Sequence, residues 1–122
     1  LEDGAQAHMA RGGTNFSGGQ KQRLSIARAL CRDAEILIFD DTFSALDFKT
    51  DRQLRDALRE KTEGQTKLIV AQRIGTIMGA DRIVVLDEGR IAGIGTHREL
   101  LSSCEVYRQI ALSQLSEEEL AI

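Results

Sequence analysis

Ile36-Leu37-Ile38-Phe39-Asp40-Asp41 limits the possible folds of this 122-residue chain more than any other run. Four consecutive apolar residues, two of them β-branched, predict a short strand buried on both faces, as in a parallel sheet. Two carboxylates end the run, and the carboxyl ends of strands are where open α/β sheets bind ligands. There the first acid, Asp40, can hold Mg²⁺ by way of water, and the second, Asp41, can orient an attacking water. A plainer alternative stays open, since acidic residues also end strands and begin turns.

Earlier in the chain, Asn15-Phe16-Ser17-Gly18-Gly19-Gln20-Lys21-Gln22-Arg23 sets a serine and two glycines directly before a helical pattern. A helix therefore begins at this point. Its unpaired N–H groups, the positive end of its dipole and the Ser17 hydroxyl all serve one spot. Gly18 and Gly19 carry no side chain, so an anion can approach the backbone closely, and a phosphate suits the place. Ser17 reads equally well as a plain helix N-cap.

Periodicity places helices over 17–32, 49–61 and 74–78, two more after Thr96, and strands over 36–40 and 67–71. Leu24, Ala27, Leu30 and Cys31 share one face of the first helix. Residues 82–87 and 90–94 predict a hairpin joined at Glu88-Gly89, and Thr96 with Glu99 has capping-box spacing. Strand and helix alternate with the hairpin appended, which makes the fold class α/β. Residues 1–14 read as irregular and 116–122 as an acidic tail. With 42% hydrophobic residues, a chain this short supports one core and not two. A net charge of −3 gives no support to a nucleic-acid-binding surface. Apolar runs of four fall far short of the roughly twenty residues needed to cross a bilayer. Cys31 and Cys104 fit no metal-ligand spacing, as expected of reduced thiols in a cytosolic setting. His97, at a helix start, reads as solvated.

With Ser44-Ala45-Leu46-Asp47 added, these runs make the chain similar to the nucleotide-binding domain of ABC transporters through nearly all of its length. Phe16-Ser17-Gly18-Gly19-Gln20 resembles the signature motif, usually begun by Leu. Residues 36–40 resemble the Walker B strand, Ser44 to Asp47 the D-loop, and Val70-Ala71-Gln72-Arg73 falls where the switch loop should be. The resemblance implies a P-loop NTPase fold, a mainly parallel sheet with flanking helices and a terminal hairpin. It also implies that residues 1–115 form the carboxyl-terminal part of such a domain. No G-x-x-x-x-G-K-[ST] loop occurs in the sequence. The phosphate cradle is then expected upstream, and these 122 residues alone are expected not to hydrolyse ATP.

In that family two domains face each other head to tail with ATP between them. The resemblance assigns Ser17, Gly18, Gly19 and Gln20 to the γ-phosphate of a nucleotide held mainly by a partner domain. It assigns Asp40 to Mg²⁺ at this chain's own site and Asp47 to contact across the interface. Asp41 stands where Glu usually orients the attacking water, and its carboxylate is withdrawn by roughly 1.5 Å, one carbon–carbon bond. Errors of about 1 Å can cost on the order of a hundredfold in rate. Gln72 stands where histidine is expected and cannot carry a proton near neutral pH. Both departures weaken one chemical step.

The resemblance thus implies a degenerate ATP site beside an intact signature, similar to one subunit of heterodimeric bacterial multidrug-type exporters. The stretch 107–115 also looks like that subgroup. A homodimer that tolerates both changes is the alternative. The implied partners are a second ABC nucleotide-binding domain and a membrane-spanning domain of the same polypeptide, at the cytoplasmic face of the cell membrane. ATP and Mg²⁺ are the implied cofactors. A soluble ABC-type ATPase without a membrane domain, and a non-catalytic regulatory or dimerisation module, are the competing expectations. His8 and Arg11-Gly12-Gly13 fall in a stretch that in exporters approaches the coupling helices of the membrane domain.

Overall fold

The computed structural model describes residues 3–115, and the acidic tail expected over 116–122 lies outside them. The chain divides after Val70 into two compact units. Composition suggested a single core, yet each unit has its own apolar cluster, of six buried residues in the first and seven in the second. Clusters this small fit within a short chain, which is why total length did not exclude two.

In the first unit, two short 3₁₀ turns, Gly4–Gln6 and Arg11–Gly13, precede helix α1 (Gly18–Leu30). Strand β1 (Ile36–Asp40), helix α2 (Phe48–Lys61) and strand β2 (Thr66–Val70) follow. The strands pair in parallel, from Ile36 opposite Thr66 to Asp40 opposite Val70. Parallel neighbours need a crossover connection, and the segment containing α2 supplies it. Leu37 and Phe39 face a core shared with Ile26, Phe43, Leu46 and Leu58. Burial of β1 on both faces is not found. Ile36 and Ile38 keep 61% and 65% of their surface exposed, with Leu68 at 56% and Val70 at 50%. Alternate strand residues point to opposite faces, and the core of this unit lies on one of them.

Helix α1 also differs from expectation. It buries Ile26, whereas Leu24, Ala27, Leu30 and Cys31 are exposed. Ile26 lies about 200° around the helix axis from Leu24, so the face read from the sequence points away from the core. The 8–15 loop before the helix is held by Asn15. Its Oδ1 accepts from the Ala10 N–H at 2.9 Å and its Nδ2 donates to the His8 carbonyl at 2.8 Å.

The second unit opens with α3 (Ile74–Ile77), a single turn, and the hairpin β3 (Ile83–Asp87) and β4 (Arg90–Gly95). Glu88 and Gly89 turn the hairpin with positive φ, 45° and 74°, the two-residue geometry whose twist matches antiparallel strands. Val85 pairs with Gly93 and Leu86 with Ile91, so β4 bulges at Ala92. Helices α4 (His97–Ser103) and α5 (Glu105–Gln114) complete the unit. The expected capping box of Thr96 and Glu99 opens α4. Tyr107 and Ala111 of α5 pack with Ile74, Ile83, Val85, Leu100 and Cys104.

His97 is not solvated. It is 4% exposed, and its Nδ1 lies 2.7 Å from the Tyr107 hydroxyl. The capping box fixes the first turn of α4 with this ring toward α5, an orientation that local sequence does not encode. Both cysteines are free thiols, Cys31 exposed and Cys104 buried. No helix among the described residues is long and apolar enough to cross a membrane.

Candidate functional site

The tip of α1 satisfies some of its polar groups and leaves others open. Ser17 is extended (φ −67°, ψ 160°), and its hydroxyl oxygen accepts from the Gln20 N–H at 3.2 Å. Gln20 Oε1 accepts in return from the Ser17 N–H at 2.9 Å. The cap reading of Ser17 is therefore correct, and it does not exclude the other. A hydroxyl that accepts a bond still has its proton to donate, and Gln20 keeps its amide NH₂. Neither the Gly18 nor the Gly19 N–H has a hydrogen-bond partner among the described residues. These are first-turn donors at the positive end of a helix of 13 residues.

The two glycines have a packing role besides. A Cβ on Gly18 would come within 3.3 Å of the Ala45 Cβ, and one on Gly19 within 3.2 Å of Leu46 Cδ2. The helix tip thus rests on the segment that follows β1, and three of the predicted residues lie in or beside it. Asp40 ends the strand, exposed, and by alternation lies on the open face with Ile36 and Ile38. Asp41 follows at φ 51°, the left-handed region that Asp enters more readily than most residues. Its N–H donates to the Val70 carbonyl at 2.9 Å, which carries the parallel pairing one residue past β1.

Gln22, which the sequence reading passed over, ties this segment to α1. Its Nε2 donates to Ser44 Oγ at 3.1 Å and more weakly to the Asp41 carbonyl at 3.4 Å. Its Oε1 accepts from the Ala45 N–H at 3.0 Å. The Ser44 hydroxyl donates to the same Asp41 carbonyl at 3.1 Å. The one signal available in the sequence was spacing, because Gln22 stands four residues after Gly18 and so on the same helix face. Leu46 anchors the segment in the core, while Asp47 is exposed at the start of α2. Asp47 closes no side-chain cap bond of full geometry on α2. The Thr50 hydroxyl beside it, ahead of the Thr50 N–H and the Lys49 charge, still holds its carboxyl below the ordinary value.

No cluster of three or more His, Cys, Asp and Glu side chains suited to a metal occurs among the described residues. A single exposed carboxylate such as Asp40 suits Mg²⁺, which retains waters and takes one or two carboxylates alongside phosphate oxygens. Gln72 belongs to the second unit, in the link between β2 and α3, and is exposed. Its carbonyl accepts from Gln114 Nε2 at 2.9 Å.

Known proteins resemble this chain in sequence and in fold. The family described as ABC transporter matches residues 1–44. An uncharacterised ABC transporter ATP-binding protein of Mycobacterium tuberculosis is 49% identical over 92% of this chain and 19% of its own length. An ATP-dependent lipid A-core flippase of Hahella chejuensis is 46% identical over 96% of this chain and 20% of its own. The solved structure of a bacterial Atm1-family ABC exporter with ATP bound superimposes with a TM-score of 0.81. It is 39% identical over 86% of this chain and 18% of that one. The chain spans about a fifth of the length of these relatives.

Proposed function

The chain belongs to the nucleotide-binding domains of ABC transporters, and from that premise we propose that it serves ATP-driven export, within a longer protein, as one side of a two-domain nucleotide sandwich. The observation that carries this reading is the α1 tip, with two glycine N–H groups unpartnered among the described residues and a serine hydroxyl still able to donate. Such an array suits the terminal phosphate of an ATP seated mainly on a partner nucleotide-binding domain. Gln20 adds its amide, and Asp47 faces the partner from the start of α2. At this chain's own site Asp40 would hold a hydrated Mg²⁺, which would screen the phosphate charge. The membrane-spanning domain belongs to the same polypeptide, and this domain works at the cytoplasmic face of the membrane. The flippase and exporter relatives support export over a soluble ATPase.

Asp41 and Gln72 make the chain's own site slow. Asp41 reaches less far than Glu toward an attacking water, and Gln72 offers an amide where an imidazole would hold or move a proton. The intact signature then completes a competent site on a different partner, so the assembly is a heterodimer. Restoring Asp41→Glu and Gln72→His in the full-length complex tests this. ATP turnover rises at least about tenfold if the lost reach and lost imidazole limit the rate. Unchanged turnover contradicts the degenerate site and favours a regulatory or dimerisation role for this domain. The 122 residues alone, without a phosphate loop, do not hydrolyse ATP.

A further inference from the structure

Gln114, the last residue of α5, holds the link around Gln72 from a distance of about forty residues along the chain. Its Oε1 accepts from the Ile74 N–H at 2.9 Å, and its Nε2 donates to the Gln72 carbonyl at 2.9 Å. The two bonds define each other, since only one orientation of the amide satisfies both a donor and an acceptor. Ile74 begins α3, so its N–H is one of the orphan donors of that turn. Arg73, in the cap position, makes no side-chain cap bond. The cap comes from another helix.

Both ends of this clamp are anchored. Ile74 is 2% exposed in the core of its unit, and Tyr107 and Ala111 fix the same face of α5 that carries Gln114. With the carbonyl of residue 72 and the N–H of residue 74 both held, the backbone that aims side chain 72 has little freedom left. The clamp touches only main chain, so it works alike for Gln or His at that position.

We propose that Gln114 is a positioning residue for the switch side chain, through which α5 sets the direction of residue 72. This inference rests on the reading of position 72 given above. The test uses the full-length complex with Asp41→Glu and Gln72→His as background. Adding Gln114→Leu should raise amide exchange at Ile74 at least fivefold. It should also remove most of the regained turnover while KM for ATP stays within twofold. Gln114→Glu, which can still accept from Ile74 but cannot donate to residue 72, should keep the Ile74 amide protected and still lower kcat. That split would not arise from a purely structural role, and it serves where the leucine variant fails to fold. Unchanged Ile74 exchange in Gln114→Leu overturns the clamp. Raised exchange with the regained turnover intact overturns positioning and leaves the functional reading standing. Absence of any regained turnover in the background itself overturns both.

Discussion

Tyr107→Phe tests how the second unit is held together, and its effect follows from a single pair. Tyr107 is 1% exposed and His97 4%, with the hydroxyl 2.7 Å from Nδ1. The rings meet nearly edge to face, at 75° with centroids 5.7 Å apart. Phenylalanine keeps that packing and removes only the hydroxyl. His97 Nε2 already lacks a partner among the described residues, so the variant leaves both ring nitrogens buried and unsatisfied. Stranding a buried polar group costs about 1–3 kcal/mol. With the packing kept, about 2 kcal/mol is expected, roughly a thirtyfold change in the folding equilibrium.

Urea unfolding followed by circular dichroism should show a lower midpoint with unchanged slope. Burial also raises the Tyr107 pKa above its ordinary 10.0. Below that value both states keep the phenol protonated and the contribution is whole. As pH rises past it the unfolded chain loses its proton first, and stability falls until the folded phenol ionises too. Tyr107 is the only tyrosine and the chain has no tryptophan, so tyrosinate absorbance reads this group directly. The native midpoint should lie above that of the urea-unfolded chain. A Tyr107→Phe loss under about 0.5 kcal/mol, or a native midpoint no higher than the unfolded one, would refute the reasoning.

Gln22→Ala removes two well-formed bonds and one weak one, at about 0.5–1.5 kcal/mol for each good bond. It should cost about 1–2 kcal/mol and speed amide exchange at Ala45, and unchanged exchange would show that Gln22 does not hold the segment after β1. The open face of β1 and β2 carries Ile36, Ile38, Leu68 and Val70, all at least half exposed. The isolated 122 residues should therefore self-associate in sedimentation experiments, and Ile38→Lys should shift them toward monomer. A monomer at all concentrations would contradict this.

Element order was legible because it depends on local pattern. The period of α2, the apolar runs of both parallel strands, the Glu88-Gly89 turn and the Thr96 capping box all act within a few residues. What failed depends on what lies across space. Whether β1 is covered on one face or two is decided by neighbours that its own residues do not specify. The wrong face of α1 arose because Leu24, Leu30 and Cys31 outnumber Ile26 as apolar signals. His97 and Tyr107 meet ten residues apart, Gln22 and Ser44 twenty-two, and Gln114 and Gln72 forty-two. No periodicity connects such pairs. At the candidate site, the Ser17-Gly18-Gly19-Gln20 motif was readable by residue type, and so was the Asp40-Asp41 pair. Gln22, which braces the segment after β1, and Gln114, which braces the link around Gln72, were not.

The most direct measurement is a structure of the full-length protein trapped with ATP and Mg²⁺. Ser17 Oγ and the Gly18 and Gly19 N–H groups should lie within about 3.2 Å of γ-phosphate oxygens on a nucleotide held by the opposing domain. Finding those three donors turned away from every nucleotide, with the two domains closed, would contradict the account.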